Sequence, residues 1–150
     1  MSSTFSSSSL TRGFWFTAPT AFTITGLRVP TDVGTLVQNV AVVRLNAAPP
    51  SWPTTTNSFT TLLRQTGVSG TGWISTSIPV SAGQIIGVLG ARGTSTMYNS
   101  YSGVTSHASA IKGQAITLRR FGMQYNLYSN VVQNVWTEVA SVSRVEMQYQ

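Results

Sequence analysis

The chain has 150 residues, a net charge of +6, 8% charged and 41% hydrophobic residues, and no cysteine. The length suits one domain, and the apolar content is enough to offset ordering entropy, which excludes intrinsic disorder. Two Glu and one Lys are too few to coat helices, so a mainly helical fold is excluded, and without thiols there is no disulfide, thiolate metal site or cysteine nucleophile.

In chain order, residues 1–12 (MSSTFSSSSLTR) are Ser-rich, with Phe5 and Leu10 the only sizeable apolar side chains after Met1. Their composition predicts a flexible arm. From Gly13 onward, short β-type runs alternate with Pro, Gly, Asn and Ser. Strands are predicted at 13–18, 21–29, 37–46, 58–66, 73–78, 84–91, 96–101, 114–121, 123–128 and 142–149. In the second, Phe22 and Ile24 share one parity and Leu27 and Val29 the other, so a bulge at Gly26 would return both pairs to one face. In the last, Val145, Met147 and Tyr149 alternate with Arg144, Glu146 and Gln148, the period of a half-buried strand. Val131, Val135 and Val139 recur at i+4, but the β-branched content of 131–140 favours strand or loop over a helical turn.

The connections are equally legible. The Pro-rich segment 47–57 carries Trp52 at its tip, GVSGTG at 67–72 is a turn, and another falls at Ala82 and Gly83. Trp15, Trp73 and Trp136 read as core or near-core residues. No repeat of 20 to 50 residues is evident, which sets aside propellers and solenoids. The expected fold is all-β: an antiparallel β-sandwich of jelly-roll type over residues 13–150, behind a Ser-rich arm at 1–12.

The segments RGFWFTAPTAFTITGLRVPTD (12–32) and QNVAVVRLN (38–46), the turn IPVSAGQIIGV and the closing SRVEMQY together resemble a β-sandwich domain that recurs in secreted, surface-associated bacterial proteins. The resemblance covers nearly the whole chain after the arm and implies an extracellular or cell-surface location. It carries no catalytic residue. In this numbering the first thirty residues show no basic start followed by an apolar run, and no apolar stretch approaches ~18 residues, so neither a signal peptide nor a membrane span is read.

Catalytic raw material is scarce. The only acids are Asp32, Glu138 and Glu146, the only histidine is His107, and no GxSxG elbow is present. No enzyme, metal or cofactor is expected; a lone Asp32 in the PTDVG loop makes a weak calcium ligand set. The arginines lie one per segment except Arg119 and Arg120, with no basic run, so nucleic acid is not an expected partner and the guanidiniums should bond to backbone carbonyls. Three acids can pair with at most three of the nine cations, leaving the others to acceptors in this chain or a neighbour.

The texture of Trp52, Tyr98 and Tyr101 suits a contact surface, for stacking on a sugar or on a protein. The alternative is that Trp52 closes an open end of the sandwich and the tyrosines lie on a half-buried strand. Strands poor in Lys and Pro have unguarded edges. The resulting expectation is a non-enzymatic subunit that self-associates into an extracellular filament, sheath or surface layer, with Phe5, Leu10 and Arg12 contacting the next copy. Two other readings stand beside it: a polysaccharide-binding module using the loop aromatics, and a small viral jelly-roll coat protein.

Overall fold

The computed structural model describes residues 3–150, so the first two residues of the Ser-rich segment lie outside it. It contains twelve strands and no helix among the described residues. They are β1 (Ser3–Ser7), β2 (Thr11–Thr17), β3 (Phe22–Arg28), β4 (Gln38–Leu45), β5 (Phe59–Val68) and β6 (Ile74–Val80), then β7 (Ile85–Arg92), β8 (Met97–Tyr101), β9 (Ser106–Ile111), β10 (Gln114–Met123), β11 (Val135–Glu138) and β12 (Glu146–Tyr149). All strand pairs are antiparallel. Nine strands form one curled sheet running β5-β4-β7-β2-β10, with β8 and β1 attached beyond the end of β7; the other three form the sheet β12-β3-β6.

The central strands of the large sheet are buried on both faces, which explains why β4 and β7 read as nearly continuous apolar runs rather than alternating ones. On one face, Phe14, Phe16, Val40, Val42, Ile86 and Val88 pack with Phe22, Ile24, Leu27, Ile74 and Ile78 of the small sheet. On the other, Ala41, Val43, Leu89, Phe121 and Met123 pack with Leu127, Val132 and Val135 from the segment after β10. Full burial of each large apolar side chain stabilises by roughly 1.5–3 kcal/mol, so both faces matter to the fold.

The register of β3 shifts between Ile24 and Gly26 against both of its neighbours: on β6 Ile24 pairs Ile78 while Gly26 pairs Ser75, and opposite β12 Thr25 is skipped. Phe22, Ile24, Leu27 and Val29 are consequently all buried in one cluster, as the parity change predicted.

Three segments differ from the sequence reading. Ser3–Ser7, expected to be part of a flexible arm, folds back as β1 on β8 of the same chain, with Phe5 opposite Asn99. Phe5 is only 7% exposed, packed with Ala91 and Met97. The strand expected at 123–128 ends at Met123 because polar side chains take over the backbone bonding. Thr11 Oγ1 accepts from Leu127 N at 2.9 Å and donates to Tyr125 O at 3.0 Å, and Tyr128 N donates to Asn126 Oδ1 at 2.8 Å. Finally, Ser106–Ile111, which lies outside the predicted strands, forms β9. Its SHASAI sequence has no apolar period, and the signal for it is the two-residue turn that follows, where Lys112 and Gly113 have φ of 49° and 77°, the double left-handed pattern of a tight hairpin.

Candidate functional site

The far edge of β10 is shared end to end by two strands. Arg119 pairs Ser106 of β9 on one side and Trp15 of β2 on the other, whereas from Arg120 onward the outer partner is β11, with Arg120 opposite Glu138. Where β9 gives way to β11, a cleft of about 320 Å³ opens, lined by Trp15, Ser51, Arg119, Thr137 and Glu138 and by Thr105 and Ser106. The cross-strand row Ser106–Arg119–Trp15 brings an exposed cation and an indole together, with the Arg119 guanidinium 5.6 Å from the Trp15 ring centre. The indole is fixed: Nε1 donates to Thr137 Oγ1 at 2.9 Å, and that hydroxyl donates to Arg120 O at 2.6 Å.

A second row, Arg12–Gly122–Trp136, runs across β2, β10 and β11. Gly122 is the seat for the Trp136 ring, which occupies the space a Cβ there would need. Trp136 is 2% exposed. Beside it, Arg12 lies 4.6 Å from the Phe5 ring centre and 5.8 Å from that of Trp136, and its guanidinium donates to the Tyr101 hydroxyl. Arg120 stacks 4.7 Å from the Tyr101 ring centre, donates to Ser141 O at 2.6 Å and pairs with Glu138 at 2.6 Å. Glu138 also faces Arg12 at 4.0 Å. The buried polar atoms without a partner among the described residues, Arg12 Nε, Trp136 Nε1 and Ser143 Oγ, belong to this neighbourhood, since Ser143 bridges to Tyr101.

Elsewhere, Arg92 is wholly buried and faces no carboxylate among the described residues. Its guanidinium donates to the carbonyls of Val29, Pro30, Leu36 and Gly70 at 2.7–3.3 Å. Desolvation, and secondarily the charge on Arg28, lower its pKa from the ordinary arginine value. Its cross-strand partner Gln38 accepts from Val29 N and donates to Gly70 O and Gly72 O. Above this hub lies a cleft of about 400 Å³ containing Arg28, Asp32, Arg144 and Glu146, whose charges are already matched as Arg28–Glu146 (2.5 Å) and Arg144–Asp32.

Of the residues singled out from the sequence, Phe5, Leu10 and Tyr101 share one apolar cluster, and Arg12 joins it through the Phe5 ring and the Tyr101 hydroxyl. Trp52 is 45% exposed and stands edge-on to Trp136, ring centres 5.2 Å apart, so it connects to the same neighbourhood. Tyr98 does not join it, lying opposite Ser6 and Arg92 with its ring near Gly93. Trp73, read as core or near-core, is 37% exposed under the Arg28 guanidinium. Carboxylate sharing was underestimated: because Glu138 faces two guanidiniums, four arginines, not three, meet the three acids. The expectation that guanidiniums bond to carbonyls holds for Arg92 and for Arg64, which donates to Leu127, Tyr128 and Asn130. Sequence reasoning missed Arg119, Arg120 and Glu138 as members of a site, and took Trp15 and Trp136 as packing alone.

His107 lies exposed on β9. No group of three or more His, Cys, Asp or Glu that could hold a metal occurs among the described residues. In comparisons with known proteins, no family model matches the chain, and neither the curated proteins nor the solved structures give a match.

Proposed function

We propose that this protein is a non-enzymatic structural subunit, a jelly-roll β-sandwich that associates with copies of itself into a filament, sheath or surface layer outside the cell. The observation that carries this reading is the state of two strand edges. β1 and β9 each pair with a single neighbouring strand, and neither contains Lys, Arg, Asp, Glu or Pro. Such edges present unpaired backbone groups as a template for another chain, and natural monomers usually guard them. Other borders here are guarded. The outer side of β11 is covered by the Pro-rich loop, with Trp52 N donating to Thr137 O and Thr56 exchanging bonds with Val135. β6 carries Pro79, β5 carries Arg64 and β12 carries Glu146.

The Ser-rich segment gives the contact a second component. β1 sits on β8 through one row of backbone bonds and a single apolar plug, Phe5 against Ala91, Met97 and Tyr101. Every copy offers the same seat, so the segment can occupy a neighbour's seat at little net cost, as in strand exchange. Repeated head-to-tail contacts of this kind give an open polymer. The resemblance to surface-associated bacterial sandwich domains supports the extracellular setting.

The reading is tested by negative-stain electron microscopy and light scattering on the full chain and two variants. The full chain should form regular assemblies. Deleting residues 1–7, or introducing Ala108→Lys with Ala110→Lys on exposed positions of β9, should leave folded protein that no longer assembles. A full chain that stays monomeric at high concentration, or both variants assembling as before, overturns it.

A further inference from the structure

We propose that the cleft between β9 and β11 binds an acidic sugar unit of a polysaccharide, its carboxylate on Arg119 and its hydroxyls on the side chains around it. Arg12 and Arg120 face the carboxylate of Glu138, at 4.0 Å and 2.6 Å, whereas Arg119, the neighbour of Arg120 along β10, points to the opposite face of the strand. Arg119 is exposed, pairs with no acid and makes no hydrogen bond among the described residues; its one specific neighbour is the Trp15 ring. A guanidinium so placed keeps its planar fork free for an incoming carboxylate.

The lining specifies the remainder of the ligand. Ser51, Thr105 and Ser106 put hydroxyls around the cleft, Val139 adds an apolar wall, and Trp15, held by Thr137, supplies an immobilised aromatic surface beside the cation. A cavity of about 320 Å³ lies at the small end of the usual ligand range and suits one or two sugar rings. A nucleic acid fits less well, because backbone recognition needs several phosphate contacts and, among the described residues, the lining of this cleft offers one free cation. The site also has a structural reason to exist: where β9 stops and β11 starts, the β10 edge is interrupted, so groups from both strands face a common space.

This inference stands apart from the assembly reading, since its cleft residues and readout differ. Galacturonic acid oligomers are titrated into the full chain by calorimetry, with the Trp15 indole proton followed by nuclear magnetic resonance. Binding should shift that resonance and weaken with added salt. Arg119→Gln should weaken binding by about tenfold or more with the melting temperature unchanged, since the residue is exposed. Ser106→Tyr, which fills the cleft from the β9 side, should do the same. Arg44→Gln is the control for net charge: Arg44 lies on β4 with no acid partner and outside the cleft, and its loss should leave binding intact. The proposal is overturned by no binding, by equal binding of neutral galactose oligomers, by equal binding of a single-stranded oligonucleotide, or by Arg44→Gln weakening binding as much as Arg119→Gln.

Discussion

Two regions of this molecule bury guanidinium groups by different means. Arg92 lies under irregular loops whose carbonyls are not consumed by a sheet ladder, and it needs no counter-ion because four of those carbonyls converge on it. Arg12 and Arg120 lie within paired strands, where backbone acceptors are mostly taken, so they rest on the rings of Phe5, Tyr101 and Trp136 and share one carboxylate. The difference shows how a chain with three acids can carry eight arginines. Where the backbone is irregular, carbonyl dipoles compensate the charge; where it is regular, aromatic faces and a shared acid do so.

The comparison breaks most sharply at Arg92. Replacing it by Met leaves several buried carbonyls without donors, so Arg92→Met should cost about 3–5 kcal/mol in denaturant unfolding. Arg92→Lys should recover only part of that, because an ammonium cannot span the same acceptors. In the other region the largest expected effect comes from the glycine seat. Gly122→Ala places a methyl group inside the Trp136 ring, and because that indole is itself buried and packed it should cost about 3 kcal/mol. Near-ultraviolet circular dichroism should report the displaced indole.

A smaller effect is expected at the shared acid. Glu138→Gln keeps an acceptor for Arg120 but removes the charge that faces two guanidiniums, and the side chain is 29% exposed, so about 1–2 kcal/mol should be lost. If its cost equals that of Arg92→Met, the distinction between the two regions fails. The smallest change sets the baseline: Arg144→Ser removes a partly exposed pair with Asp32 and should shift stability by less than about 1 kcal/mol.

Where local pattern carries the information, the sequence was a good guide. Alternation located the strands facing one core, and the parity change around Gly26 revealed the bulge that aligns Phe22 with Leu27. The Ser- and Ala-rich strands β1 and β9 were missed because they have almost no apolar side chains from which to read a period. The cleft was illegible for another reason. Trp15, Ser51, Ser106, Arg119 and Glu138 lie far apart along the chain and meet only through cross-strand register, which no single segment encodes. Phe5, Leu10 and Arg12 read as contacts to another copy and Tyr101 as a contact-surface aromatic; their union within one subunit depends on β1 returning to β8.

The hub at Arg92 also sets how the molecule breathes. Arg92 and Gln38 together fasten the backbone at Val29, Pro30, Leu36, Gly70 and Gly72, so the connections before β4 and after β5 are tied to one pair of side chains rather than to separate anchors. Neither connection can swing away without taking hydrogen-bond acceptors from the same guanidinium. Their amide hydrogens should therefore exchange with solvent through a shared opening event, slowing and quickening in step across the two loops, whereas loops anchored independently would each follow a rate of their own.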